Sequence, residues 1–259
     1  MIKPIKLHWS RSKPNFGDTL SPIICEYMSG RKVVYADITK CDLVAIGSLM
    51  QRVKEGFFRH KIHVWGTGYI DSTPMHRSKH IYHAVRGRMT RDILQMDHNP
   101  VFGDPALLAD RLVAGKITNK KNYKLGIIPH YKDRDDVLLK TLAPEYKNVT
   151  VFDVFTPPLE LIKNIAECEF VLSSAMHGLI VADSLAVPNA WVEMADKLRG
   201  GWFKFQDYYS IYGYDDIKPL GLSAELLDRG YRDYAEAYSR PGIDEIKKQL
   251  ENCFPFSPG

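Results

Sequence analysis

Between Phe170 and Ala182 the chain runs from a short apolar strand, through small polar residues at Ser173 and Ser174, into an apolar helix that opens at His177 and Gly178. Where a strand ends and a helix begins, free N–H groups and the helix dipole point to one spot and attract anions. An imidazole at that mouth can donate to a phosphate or move a proton. The plainer alternative is a buried histidine satisfied by backbone groups. The following Leu179 to Ala182 is apolar on all sides and therefore buried, which fixes His177 at the mouth and favours the functional reading. Ser173, Ser174 and Gly178 share this turn and are candidate substrate contacts. The segment points to an enzyme that handles an anionic small molecule.

Five further turns carry groups of the same kind. Asn15-Phe16-Gly17-Asp18 follows the first expected strand. Asn15 and Gly17 are candidate substrate contacts there, and Asp18 either accepts a proton or caps the next helix. Gly66-Thr67-Gly68 is a glycine turn after a strand, with Gly66 and Gly68 able to admit a ligand. It lacks the spacing of a phosphate loop or a dinucleotide fingerprint. Arg86 and Arg88 straddle Gly87 at a strand end. Guanidinium groups bind carboxylates and phosphates through paired hydrogen bonds; ordinary surface ion pairs are the alternative. In Gly103-Asp104-Pro105-Ala106 the structural reading leads, with Asp104 as cap and Pro105 in the first helical position. Pro129-His130-Tyr131-Lys132 sets His130 and Lys132 on the same edge as His177.

Other clusters say less. His60, His63, His76, His80, His83 and His98 form no ligand set, so no metal is expected. Trp202, Phe203, Phe205, Tyr208, Tyr209, Tyr212 and Tyr214, interleaved with Lys204, suit a sugar platform or a membrane-surface contact. They suit the packing of one domain on another equally well.

The turns need elements to hold them. Strands are expected at 5–9, 32–35, 42–46, 61–65 and 79–85, with helices at 19–28 and 89–96. A second series has strands at 125–129, 149–154, 170–172 and 189–192 and helices at 135–142, 158–168 and 177–186. Residues 200–218 read as an irregular aromatic loop, and 224–238 and 243–252 as closing helices. Alternating strands and helices make an α/β protein with parallel sheets. The polar stretch 116–124 reads as a linker. The expected layout is a Rossmann-like domain over 1–115 on the acceptor side, a second over 125–220, and closing helices over 221–259. The two Rossmann-like domains are expected to face a cleft.

Bulk properties narrow the class. The chain has 259 residues, 45% hydrophobic and 25% charged, which is ordinary for a soluble globular protein. A net charge of +4 is too small to argue for nucleic acid, yet it suits an anionic substrate or an anionic membrane surface. Cys25, Cys41, Cys168 and Cys253 have neither metal spacing nor the look of a disulfide framework. Reduced thiols and a cytoplasmic location are expected. The first residues lack the apolar run of a signal peptide, and no run nears the roughly 18–20 residues of a membrane span. Any membrane contact is expected to be peripheral, at the inner face.

In content and order, the turns resemble the polysaccharide pyruvyl transferase family over residues 5–195. The matching pieces are Asn15 to Asp18, Ile46-Gly47-Ser48, Trp65 to Gly68, Val85 to Arg88, Phe102 to Pro105, Gly126 to Tyr131, and Ser173 to Ile180. The resemblance implies a fold similar to the glycosyltransferase B-type arrangement. It implies transfer of pyruvate from phosphoenolpyruvate to a sugar of a polysaccharide or lipid-linked oligosaccharide, galactose-containing acceptors included. A pyruvate ketal forms and phosphate leaves, with no cofactor and no metal. In that setting Arg86 binds the donor's carboxylate or phosphate, His177 stands at the phosphate, and Asp18 is the candidate base. Many members have an arginine where this chain has Ala175, so that charge must come from elsewhere, such as Arg86, Lys132 or Arg199. A branch linked to exopolysaccharide pyruvylation, with Ser-Ser and no such arginine, is the more similar. Two other classes stay open: a nucleotide-sugar glycosyltransferase and a non-catalytic glycan-binding protein.

Overall fold

The computed structural model describes residues 3–11, 15–53, 60–73, 79–117, 120–194 and 201–256. His76 and Arg199, named above, lie outside these residues. Along the chain the strands are β1 (Ile5–His8), β2 (Val33–Tyr35), β3 (Leu43–Val44), β4 (His63–Trp65), β5 (Ile81–Val85), β6 (Val101–Phe102), β7 (Tyr123–Ile128), β8 (Val149–Val151), β9 (Cys168–Ser173), β10 (Asn189–Glu193) and β11 (Leu220–Gly221). The helices are α1 (Phe16–Ser29), α2 (Arg88–Leu94), α3 (Ala109–Val113), α4 (Val137–Leu142), α5 (Pro158–Ala166), α6 (Met176–Ser184), α7 (Phe203–Tyr209), α8 (Tyr231–Glu236) and α9 (Ile243–Asn252).

The contacts gather these elements into two compact units. One takes Met1–Ala106, Arg199–Ile217 and Pro241–Gly259; the other takes Leu107–Leu198 and Lys218–Arg240.

The first unit holds a sheet in the order β2-β1-β3-β4-β5-β6, parallel throughout. Its strands are short and apolar, and Val44, Val64 and Val85 pack with Leu94 and Phe203 in one core. Each such side chain taken from water contributes about 1.5–3 kcal/mol. Helix α1 starts where Asn15 accepts the N–H of Asp18, and it stops at Gly30, whose φ of 61° is left-handed.

The second unit holds a sheet in the order β11-β10-β9-β7-β8, also parallel. Its core joins Leu125, Ile127, Phe170, Leu172, Val192 and Leu227. Counted from its own first strand, this sheet repeats the order of the first: second, first, third, fourth, fifth. In both, winding reverses between the first and third strands, β1 and β3 in one sheet, β7 and β9 in the other. Doubly wound sheets bind ligands in the crevice at that reversal, beyond the strands' carboxyl ends. The mixed α/β class with two parallel sheets is therefore as expected from sequence.

Several elements differ from the sequence reading. Within the stretch expected as an irregular loop, α7 is followed by a short 3-10 turn at Ser210–Tyr212, and 213–218 have neither helix nor strand. Phe203, Phe205, Tyr208, Tyr209 and Tyr212 are buried, while Trp202 is 37% exposed. These five aromatics are core of the first unit and cannot serve as a surface platform. The two-residue strands β6 and β11 are too short to leave a periodic signal. The helix expected over 224–238 is a wide turn at Leu226–Gly230 followed by α8. Among the described residues no helix is long and apolar enough to cross a membrane.

Candidate functional site

In the first unit, the loops after β1 and β3 meet at the winding reversal. Asn15 is the helix cap, so Asp18 is released from that duty and sits in the first turn of α1. Asn15 Nδ2 donates to Asp18 Oδ2 at 2.7 Å. Asp18 Oδ1 lies 3.6 Å from where a Cβ on Gly47 would stand, and Gly47 has φ +104°, a conformation few side chains tolerate. Burial pushes the Asp18 carboxyl above its usual range; bonds from Asn15 and Ser10 and the charges of Arg52 and Lys204 partly offset this. Gly17 is buried in the same turn.

Arg86 sits inside this unit, not on its rim. Its side chain has no exposed surface. Nε donates to Asp207 Oδ2 at 2.9 Å, Nη1 to Ser48 Oγ at 2.7 Å, and Nη2 to the Tyr69 carbonyl. Asp207 also accepts from Thr90 N–H at 2.8 Å and from Thr90 Oγ1 at 2.7 Å. One carboxylate thus receives the guanidinium and caps the first turn of α2. The expected donor-binding arginine is, in this geometry, a strut between the loops after β3, β4 and β5.

The neighbouring glycines make room for that strut. A Cβ on Gly68 would stand 2.6 Å from Arg86 Cζ, and one on Gly87 would collide with the Asp207 carbonyl. Gly66, at φ +87°, lies against Pro105 with Gly103 O 2.8 Å from its missing Cβ. Packing inside the unit accounts for Gly66 and Gly68. Asp104 is buried beside them and accepts the Ala106 N–H at 2.9 Å, as its capping role requires. Burial pushes its carboxyl up to about 7, against the pull of Ala106, Arg86 and Gly47. Arg88 is exposed at the start of α2, and its N–H donates to Ser210 Oγ at 3.0 Å.

In the second unit, the loops after β7 and β9 meet at the corresponding reversal. Ser174 Oγ accepts the His130 N–H at 2.8 Å and donates to Asp133 Oδ2 at 2.5 Å. Ser174 N–H donates to Ile128 O at 3.2 Å. Ser173 Oγ lies 2.8 Å from both Ile128 O and Ala175 O and accepts the Ala175 N–H at 3.1 Å. Both serines are buried and knit the two loops together. Gly178 is glycine for a similar reason: a Cβ would collide with Ser173 Oγ and approach Ile128 Cγ2 to 3.1 Å.

His177 is the second residue of α6 and is half-buried. The cap position is Ala175, whose side chain offers no acceptor, so the mouth of α6 is left to other partners. His130 is half-buried beside Tyr131, with ring centroids 4.3 Å apart. Lys132 is exposed, and its N–H donates to His130 Nδ1 at 3.3 Å. The second unit therefore brings His130, Ser173, Ser174, Gly178 and His177 to one edge, and the first brings Asn15, Gly17 and Asp18 to another.

Two residues central to these arrangements were not singled out from sequence. Asp207 lies between buried aromatics, and an acid in such company must find a cation or donors. That was a usable signal, although nothing in the sequence pointed to Arg86 as its partner. Asp133 is buried within the charged run Tyr131 to Asp136, where composition alone marks no single acid as internal.

Comparison with known proteins agrees with the order of these loops. The family model for polysaccharide pyruvyl transferase matches residues 3–195. The uncharacterized protein L143 of Acanthamoeba polyphaga mimivirus is 28% identical over 217 residues, covering 82% of this chain and 75% of that protein. The succinoglycan biosynthesis protein ExoV of Rhizobium meliloti (strain 1021) is 25% identical over 231 residues, covering 87% of this chain and 71% of that one. The family match takes in both winding reversals and every loop from Asn15 to Gly178, and on that ground the chain belongs to the polysaccharide pyruvyl transferase family.

Proposed function

We propose that the chain takes the pyruvate unit of phosphoenolpyruvate and closes it as a ketal on two hydroxyls of a sugar, releasing phosphate. The observation that carries this reading is the family match across 3–195, which takes in β1 to β10 and both winding reversals. The relative named for succinoglycan biosynthesis supports an exopolysaccharide, or its lipid-linked precursor, as acceptor. A lipid-linked acceptor would bring the protein to the inner face of a membrane, which a net charge of +4 suits.

In this scheme a proton adds to the methylene carbon of phosphoenolpyruvate and leaves C2 electron-poor. A sugar hydroxyl bonds to C2 and gives up its proton. The C2–O bond to phosphate breaks, and phosphate leaves with that electron pair. A second hydroxyl then bonds to C2, loses its proton, and closes the ring. Every step is acid–base chemistry and is written without a metal or cofactor.

His177, at the mouth of α6, serves the donor phosphate and protonates it as it leaves. The first N–H groups of α6 and the exposed Lys132 supply positive partners where the family's arginine is replaced by Ala175, and the neutral His130 ring stands beside them. Asp18, whose carboxyl is raised by burial, takes the acceptor proton. Arg86 acts through Ser48 and Asp207 as a positioning residue.

The test is phosphate release from phosphoenolpyruvate with a panel of galactosides, glucosides and mannosides, followed by NMR of the product. A methyl singlet bound to a ketal carbon on the sugar is expected. Turnover of nucleotide sugars in place of phosphoenolpyruvate, or binding of sugar without turnover of either, would refute the reading.

A further inference from the structure

Five of the seven aromatic residues first considered as a sugar platform are core, but another aromatic group stands at the edge of the first sheet. Tyr35, the last residue of β2, is 40% exposed. Trp9 meets it edge-on with ring centroids 5.1 Å apart, and the Arg11 guanidinium lies 4.6 Å from its ring centroid. The His8 ring, at the end of β1, is 5.7 Å from the same ring. Three side chains from the end of β1 thus collect around Tyr35 at the end of β2, all at the carboxyl edge of the sheet.

His8 is the unusual member. Its side chain is more than nine-tenths buried. Nδ1 lies 3.0 Å from Ala36 O, and a carbonyl only accepts, so Nδ1 carries the hydrogen. In a neutral ring Nε2 is then a bare lone pair. That atom is buried and meets no hydrogen-bond partner among the described residues. Buried polar atoms are nearly always paired, and this acceptor, next to the ring of the exposed Tyr35, is one that a bound hydroxyl would satisfy. Burial lowers the His8 pKa and Arg52 adds to this, while the Ala36 bond and Asp37 oppose it. The ring is therefore neutral at neutral pH and Nε2 can only accept.

Sugars ask for this combination. Their C–H faces pack on aromatic rings, and their hydroxyls pair with planar charged donors and with strong acceptors. Arg11 supplies the donors, Tyr35 and Trp9 the rings, and His8 Nε2 the acceptor for one O–H. Asp18 is in the same neighbourhood: Arg52 acts electrostatically on both His8 and Asp18, and Ser10, two residues after His8, bonds to Asp18.

We propose that His8, Trp9, Arg11 and Tyr35 form a sugar-binding subsite of the first unit, in which His8 Nε2 accepts a hydrogen bond from an acceptor hydroxyl. The assignment of this sugar as the acceptor rests on the pyruvyl transfer reading; the binding of a sugar does not.

The experiment uses the full chain and needs no donor. Methyl galactoside, glucoside and mannoside are titrated while the His8 ring nitrogens and the Trp9 indole are followed by NMR. At least one sugar is expected to move both sets of signals saturably. His8→Asn keeps the bond to Ala36 and removes only the Nε2 acceptor, and Tyr35→Leu removes the ring. Each is expected to weaken binding about tenfold, with thermal midpoints near that of the wild type. If no sugar moves these signals, or if His8→Asn binds as the wild type does, the subsite is refuted. If sugars bind here but phosphoenolpyruvate is never turned over, the subsite stands and the transferase reading falls. If turnover occurs with acceptor KM unchanged in both variants, the transferase reading stands and the subsite falls.

Discussion

Arg86 Nε and Asp207 Oδ2 stand 2.9 Å apart with neither side chain exposed, although 121 residues separate them in the chain. The pair is affordable only because the remaining hydrogen-bonding capacity of both groups is used nearby. Ser48 and Tyr69 take guanidinium N–H groups, and Thr90 donates twice to the carboxylate. Removing one partner leaves a buried charge uncompensated, at a cost of about 3–5 kcal/mol. Arg86→Ala and Asp207→Ala are therefore expected to lower stability by that amount in denaturant unfolding. Arg86→Ala that remains fully stable and raises only the KM for phosphoenolpyruvate would restore Arg86 as a direct ligand.

Asp104 lies against the same strut, and its proton makes stability depend on pH. Burial raises its folded-state pKa to about 7, above the ordinary value of 3.8. The folded state then holds the proton more tightly, so the contribution to stability is full below about 4 and falls as pH rises through 7. Asp104→Asn lacks this titration. The difference in unfolding free energy, wild type minus variant, is expected to decline between pH 4 and pH 7. A difference that is flat, or that grows with pH, would show that Asp104 is ionised in the folded protein.

The strand and helix series was legible because buried parallel strands are short apolar runs and because Gly and Pro mark their ends. Thus β7, β9 and α6 lie close to where the sequence puts them. The role of each glycine turn was less legible. Gly66, Gly68 and Gly178 were candidate substrate contacts, but Pro105, Arg86 and Ser173 stand where their side chains would be. A sequence shows that a glycine is present and hides which distant side chain requires it. The buried state of Arg86 was hidden in the same way, since Asp207 lies in a segment read as loop. His8 carried no motif at all, and only its burial and its bond to Ala36 single it out.

Gly178 gives a direct test of packing where the loops after β7 and β9 meet. A methyl group there would collide with Ser173 Oγ and crowd Ile128 Cγ2 at 3.1 Å. Ser173 cannot simply yield, because its hydroxyl holds Ile128 O and the turn at Ala175. Overpacking of this kind costs about 1–3 kcal/mol. Gly178→Ala is expected to lower the thermal midpoint and, by shifting the start of α6, to reduce turnover as well. A variant with wild-type stability would mean that the loops after β7 and β9 part easily.

His177 should separate from its neighbours in the opposite sense. It is half-buried at the second position of α6, whereas the serines beside it are enclosed. His177→Ala is expected to cut kcat by about 10²–10⁴ with stability changed by less than about 1 kcal/mol. Ser174→Ala, which removes the hydroxyl that accepts the His130 N–H and donates to Asp133, is expected to cost about 1–3 kcal/mol of stability. Unfolding curves and steady-state kinetics on the two variants check both claims. Unchanged kcat in a folded His177→Ala would remove the histidine from the chemistry.

Asp18 provides the sharpest discrimination between a base and a structural acid. Its carboxyl is raised mainly by burial, so ionising it in the folded state opposes folding. Above the raised pKa the wild type carries this penalty, and below 3.8 it does not. Asp18→Asn keeps the shape of the side chain and removes the charge. Stability at neutral pH is therefore expected to rise in the variant, with the gain vanishing as pH falls towards 3.8. Activity is expected to fall by about 10²–10⁴, and the acidic limb of the pH–rate profile, set by ionisation of this group, should disappear. A purely structural carboxylate would lose stability and activity together, and would leave the acidic limb of the remaining activity where it was.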